Sequence, residues 1–282
     1  MSSYRFCRTD DIALLVDALN RCWHPYFPEE PPMTPGAFKG SIRDLQVWCS
    51  SCMVAFSGRD PIGVLIGAKR PSGTLVHRIA VHPDHRRQGH GRHLLDSLGS
   101  KLAILGPPRI VAHVPQAFEP ACQLFNASGY TEEACLIDYV SHGDAGERPE
   151  PLVDRFVIPV TVDDLTANGV LDDLHPSGCW ARSNEALAAR KQDLRGLAVA
   201  SDERIEAYVL HTVDGGIAAM RSLVDDGGAR LRALCARLRA GGIETLTFAQ
   251  VHPDEIAAGE LTAVGFRPAA AHRAFGITLG AA

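Results

Sequence analysis

Val81-His82-Pro83-Asp84-His85-Arg86-Arg87-Gln88-Gly89-His90-Gly91-Arg92-His93-Leu94-Leu95 is the stretch on which the reading of this chain turns. A β run ends at Val81, His82-Pro83-Asp84 makes a tight turn, and Gly89 and Gly91 flank the start of a helix. With no side chain at either glycine, consecutive backbone N–H groups can approach an anion closely, and the helix dipole adds partial positive charge. Arg86, Arg87 and Arg92 bring full charges to the same spot. That is a construction for holding a pyrophosphate. It is not a P-loop, because no Gly-Lys-Ser/Thr follows. Nor is it a dinucleotide fingerprint, because Leu94 stands where the third glycine would be.

Outward from this stretch the chain reads as strands and helices in a repeating order. Upstream, Met53 to Ser57 and Ile62 to Lys69 flank the turn Gly58-Arg59-Asp60-Pro61, and Thr74 to Val81 is a third β run. Downstream, Leu94, Leu95, Leu98, Leu102 and Leu105 share one helical face. A strand from Arg109 to Pro115, a helix stopping at Gly129-Tyr130 and a strand from Ala134 to Val140 complete the first half. The second half echoes it. Phe156 to Val160 leads into Val162-Asp163-Asp164-Leu165, as Tyr4 to Arg8 leads into Thr9-Asp10-Asp11-Ile12, with Thr and Asp placed to cap each helix. Thr245 to Val251 leads to a helix stopping at Gly265-Phe266, and Ala270 to Leu279 closes the chain's second strand set. The expected fold is α+β with α/β three-layer packing, two copies of one unit, each a mixed, mostly antiparallel sheet flanked by helices. The Gly- and Pro-rich stretch from Ser141 to Pro151 reads as a linker. Domains are therefore expected at residues 1–143 and 154–282, joined by residues 144–153.

The 282 residues are 46% hydrophobic and 22% charged, enough for two buried cores. A net charge of −5 argues against a general nucleic-acid binder. No apolar h-region opens the sequence, and no apolar run is long enough to span a bilayer, so a cytoplasmic protein without membrane partners is expected. The eight cysteines are scattered, as buried thiols are in a reducing compartment. Cys49-Ser50-Ser51-Cys52 has CxxC spacing but no second ligand pair, and reads as two core thiols, with no metal expected.

Strand end, His-Pro-Asp turn, Arg86-Arg87-Gln88-Gly89-His90-Gly91 and amphipathic helix together give the first half a clear relation. It resembles the GNAT superfamily of acetyl-CoA-dependent N-acyltransferases, whose signature is Arg/Gln-x-x-Gly-x-Gly/Ala after a Val-x-Pro strand end. The resemblance runs from about Tyr4 to Val140. It implies that acetyl-CoA is the cosubstrate and that Arg86, Arg87, Gln88, Gly89, His90, Gly91 and Arg92 surround its pyrophosphate. It also implies that Ile79, Ala80 and Val81 splay from the neighbouring strand and pair with the pantetheine arm. Direct attack of an amine in a ternary complex is the implied reaction, with an N–H near Val81 stabilising the oxyanion.

Two positions depart from the family pattern. The tyrosine often found before the closing glycine is Phe125, which cannot donate a proton and reads as a wall beside the pantetheine. The occasional catalytic glutamate falls near Leu75. His77 is then the candidate base, placed by strand alternation on the face of Leu75; a hydrogen-bonded strand histidine is the plainer alternative. Tyr139 and Asp138, on the closing strand, are candidates for the acid or for substrate contact. Tyr26, Glu29 and Glu30, in the proline-rich loop from His24 to Met33, are candidates to hold a cationic amine; a solvated, proline-stiffened loop is the equal alternative.

In the second half Asp225-Asp226-Gly227-Gly228 stands where the signature would be, and two aspartates would repel a pyrophosphate. This half reads as a degenerate GNAT-like copy that packs on the first and shapes its acceptor pocket, with Trp180 and Arg182 its residues of interest. The expected function is acetylation of a primary amine on a small molecule or peptide. A non-catalytic acetyl-CoA-binding sensor or scaffold, transfer of a longer acyl chain, and a homodimeric assembly all stay open.

Overall fold

The computed structural model of the protein describes residues 2–143, 156–171 and 178–280; the linker expected at residues 144–153 lies outside these. In the first half come β1 (Ser2–Phe6), α1 (Ile12–Cys22), α2 (Pro35–Leu45), β2 (Met53–Ser57), β3 (Asp60–Arg70) and β4 (Gly73–Val81). They are followed by α3 (His90–Leu105), β5 (Arg109–Pro115), α4 (Glu119–Ala127) and β6 (Thr131–His142). In the second half are β7 (Val157–Val160), α5 (Val162–Ala167), α6 (Asn184–Ala189), β8 (Arg195–Ala200), β9 (Ile205–His211) and β10 (Ile217–Ser222). Last come α7 (Ala229–Ala240), β11 (Thr245–Val251), α8 (Ala258–Ala263) and β12 (Arg267–Thr278).

Packing divides the chain into two units, one running up to Ala134 and joined by the tail from Arg273, the other Cys135–His272. The sequence reading assigned that tail to the second half. Side-chain packing explains the difference. Phe275 is fully buried in the first unit's core, stacked on Phe125 with ring centroids 5.5 Å apart, while Tyr130 meets Phe125 edge-on at 5.1 Å. The backbone follows, since Leu279 N–H donates to the Pro108 carbonyl and Thr131 Oγ1 to that of Gly276.

In the first unit β1, β2, β3 and β4 form an antiparallel run, and β4 meets β5 in parallel. The apolar run Ile62 to Ala68 of β3 is buried on both faces. Helix α1 covers one side with Leu15, Val16, Ala18, Leu19 and Cys22, a helical stripe. Helix α3 covers the other with Leu94, Leu95, Leu98 and Leu102; Leu105, at its end, is exposed instead. Asp11 does not cap α1 through its side chain. Its carboxylate accepts from Arg8 N–H at 2.7 Å and pairs with Arg5 at 2.9 Å. Cys49 and Cys52 are buried at the entry to β2. Burial pushes the Cys52 thiol up and the nearby Cys7 thiol up to about 12, so both stay protonated.

The second unit holds the antiparallel sheet β10-β9-β8-β7 and the antiparallel pair β6–β11. A single parallel bridge, Gly216 to Thr247, joins β11 to the end of β10. Thr161 caps α5 in a reciprocal box with Asp164, as the threonine and aspartate there suggest. Leu231, Leu234, Phe248 and Phe266 centre its core. No helix among the described residues is long and apolar enough to cross a membrane.

Phe275→Ala should remove about 3–5 kcal/mol from the first unit, as large-to-small changes in a packed core do. Urea unfolding followed by a probe in that unit checks this. A loss below about 1 kcal/mol would mean that the tail does not help to fill this core.

Candidate active site

Strand β4 stays paired with β3 up to Val81, opposite Gly63, but its ladder with β5 is confined to Thr74 and Leu75. Beyond Leu75 the two strands part. Val76 faces Gly67 and Arg78 faces Ile66, so His77 is an extra residue with none opposite it. Such a bulge bends a strand and increases its twist. It also breaks the alternation that put His77 on the face of Leu75. The parting opens a cleft of about 640 Å3, lined by β4, β5, the start of α3, the start of α4 and the loop after α1.

One end of the cleft is built for an anion. After the single turn Pro83–His85, Arg87 (φ +61°) and Gly89 (φ +84°) both adopt left-handed backbone just ahead of α3. Alternating backbone of this kind turns successive amides into a concave nest. Gly89 is the N-cap and offers no side chain to the first helix amides, and no side-chain cap is found for them among the described residues. At Gly91 a Cβ would come within 3.0 Å of Leu124, so the first turn of α3 sits close against α4. His90, only 5% exposed, shares a hydrogen bond of 2.6 Å between Nδ1 and Tyr4 Oη, while its buried Nε2 has no partner among the described residues. Burial, then His85 and His93, lower its pKa and favour the neutral ring.

The second unit repeats this backbone and fills it. Gly228 is also a left-handed N-cap, φ +79°. There the Asp226 carboxylate accepts from Gly228 N–H and Arg230 N–H, both at 3.0 Å, and pairs with the Arg230 guanidinium at 2.8 Å. Glu206 holds the same guanidinium at 2.8 Å. The chain's own carboxylate thus lies on the amides at the start of this helix. Arg182 and Trp180 are buried structural residues. Arg182 pairs with Glu255 at 2.8 Å, donates to the carbonyls of Ala249 and Gln250, and lies over Phe248.

The other end of the first unit's cleft is aromatic and cationic. Trp23 and Phe27 stack at 4.4 Å, and Phe27 meets Phe118 at 5.0 Å. The Arg78 guanidinium lies 4.9 Å over the Trp23 ring and 3.4 Å from Glu30, which also accepts from Trp23 Nε1. Tyr26 Oη donates to the Val81 carbonyl at 2.6 Å and accepts from Arg86 Nε at 2.5 Å. His77 makes no side-chain hydrogen bond among the described residues. Burial, aided by the charge of Arg78, pushes its pKa down to about 4.

Of the residues singled out in the sequence, Tyr26, His77, Ile79, Ala80, Val81, Arg86, Arg87, Gly89, His90, Gly91, Arg92 and Phe125 line the cleft. Gln88, Glu29 and Glu30 do not. Glu29 is exposed, and the Glu30 carboxylate is engaged by Trp23 and Arg78. Tyr139 packs in the second unit's core opposite Phe248 and is not in the lining. Asp138 accepts from Gln250 N–H and His272. The cleft adds Trp23, Phe27, Arg78, His113 and Phe118. Of these only Arg78 left a signal in the sequence, as a lone charge inside an apolar strand.

Residues 13–130 match the acetyltransferase (GNAT) family. Over 192 residues the chain is 29% identical to a mycothiol acetyltransferase of Thermomonospora curvata, covering 68% of this chain and 54% of that protein. A tandem GNAT protein from the clavulanic acid biosynthesis pathway superposes with a TM-score of 0.64 over 99% of both chains at 16% identity. A GCN5-related N-acetyltransferase of Sphaerobacter thermophilus does so with a TM-score of 0.67, over 98% of this chain and 95% of that one, at 12% identity. These two likenesses concern the fold alone.

The low pKa of His77 has a sign that can be measured. Between the ordinary value of 6.5 and the folded value of about 4, the unfolded chain binds the proton that the folded ring refuses. Stability should therefore fall as pH drops through that window, and His77→Gln should lose less over it. Urea unfolding at pH 7 and pH 4.5 compares the two. Equal losses would mean that the ring titrates as in water.

Proposed function

Because the first unit carries a domain of the GNAT acetyltransferase family, we propose that the chain is an acetyl-CoA-dependent N-acetyltransferase acting in the cytoplasm on a primary amine of a small molecule or peptide. The chemistry is assigned to residues 1–143, completed by the tail, and the second half is read as a degenerate copy without a phosphate site. One contrast carries this reading. Among the described residues no side chain caps the helix behind Gly89, whereas Asp226 accepts from the amides of Gly228 and Arg230.

The residues present suit acetyl-CoA. The amides from Gln88 to Arg92 and the unpartnered Nε2 of His90 would hold its pyrophosphate, with Arg86, Arg87 and Arg92 around them. The edge of β4 at Ile79, Ala80 and Val81 offers backbone groups to an extended amide chain. Phe125 is the apolar wall at its side. When bound, acetyl-CoA supplies a thioester whose C–S bond breaks as the acceptor nitrogen forms the new C–N bond. Tyr26 fixes the Val81 carbonyl and hence the end of the strand. His77, neutral at pH 7, accepts a hydrogen bond from the incoming amine and orients it. With a pKa of about 4 it holds a proton too weakly to serve as the final base, so the proton passes on to water. No proton is drawn from Tyr139.

Thermal unfolding tests the donor site. Acetyl-CoA at about 100 times its Kd should add about 2.7 kcal/mol and raise Tm by a few degrees. Gly89→Glu should abolish the rise by placing a carboxylate in the nest, and His90→Ala should weaken binding by about 10-fold, the loss of one hydrogen bond to a charged group. No rise for the folded wild type at millimolar acetyl-CoA would remove the proposal. Thiol release with an amine panel separates the enzyme from a sensor that binds without turnover.

A further inference from the structure

Arg78 is the one charged side chain at the aromatic end of the cleft whose donors are left over. It is held among apolar groups, with 21% of its side chain exposed. Among the described residues it lies over the Trp23 ring, 3.4 Å from Glu30 and close enough to His77 to lower that ring's pKa, and it makes no side-chain hydrogen bond with any of them. A guanidinium has five N–H donors in a fork that matches a carboxylate. Taking such a group from water without giving it acceptors is costly, and burial accordingly lowers its pKa despite Glu30. Glu30 keeps the fork in place: it is bound from two sides, by Arg78 and by Trp23 Nε1.

Position adds to this. Arg78 immediately follows the bulge at His77, about 10 Å back along β4 from Val81 and the anion nest, by the ordinary strand rise. Among the described residues that line the cleft at this end none is acidic, and the nearby Glu30 is already engaged by Trp23 and Arg78. The wall of Trp23, Phe27 and Phe118 favours an apolar or aromatic body.

The geometry points to an acceptor that carries a carboxylate beside its reacting amine, an α-amino acid with an apolar or aromatic side chain, whose carboxylate is held by Arg78 and whose body lies on Trp23, Phe27 and Phe118. This rests on the proposed acetyltransferase reading. It replaces the expectation that Glu29 and Glu30 greet a cation. The amine nitrogen then lies toward His77, the neighbour of Arg78 on the strand.

The test compares phenylalanine with phenylalaninamide and phenethylamine, which keep the ring and amine and lack the carboxylate. With acetyl-CoA present, phenylalanine should bind and be acetylated about 10- to 100-fold better than either, the discrimination expected of one charge-assisted pair. Calorimetric binding to the acetyl-CoA complex gives a readout independent of turnover. Arg78→Met should bring the three ligands together, mainly through KM, and Arg78→Lys should restore part of the preference. The unmodified protein alone decides the matter should Arg78→Met fail to fold. If acetyl-CoA does not stabilise the protein, the acetyltransferase reading falls. If acetyl-CoA binds and phenylalanine is no better than its amide, or none of the three binds, only the inference about the acceptor is overturned.

Discussion

From Val76 to Val81, β4 keeps β3 on one side and has lost β5 on the other. Backbone N–H and C=O groups left without partners are expensive away from water. The space beyond Leu75 must therefore admit either water or something that hydrogen-bonds as a strand does. The remaining features of the cleft follow from keeping that edge open and in register. The bulge at His77 turns the strand, Tyr26 ties down its last carbonyl, and α3 starts close by with no side-chain cap on its first amides among the described residues. The two kinds of open backbone, a strand edge and a helix start, lie in one cleft, and the proposed cosubstrate, with an extended amide arm and a phosphate end, would answer both.

The second unit shows how the same framework looks when it is satisfied from within. Its β10 and β11 also meet at one parallel bridge, Gly216 to Thr247, among the described residues. There Arg182 covers the carbonyls of Ala249 and Gln250, and Asp226 covers the amides of α7. On the proposed reading of this half as a degenerate copy, these added internal partners would stabilise the unit while closing the place of a site.

Much of this was legible in one dimension. The stretch from Val81 to Leu95 placed strand, turn and helix correctly because glycine, proline and leucine spacing are local signals. The face of His77 was not legible, since a bulge changes the count without changing the residues. Nor was the engagement of Glu30, because Trp23 and Arg78 reach it through tertiary packing. The tail was assigned to the wrong partner for a simple reason. Both halves close on strands of similar composition, and alternation does not say which sheet a strand joins.

That last feature bears on how the protein is made. Phe125 and Tyr130 leave the ribosome long before Phe275, which completes their cluster. The 138 residues of Cys135–His272 intervene, and at about 5–20 residues per second translation holds the first unit unfinished for about 7 to 28 seconds. Domains usually mature in the order in which they are synthesised. Here the first to emerge is the last to be able to close, and its incomplete apolar cluster is the part of the nascent chain that chaperones would meet.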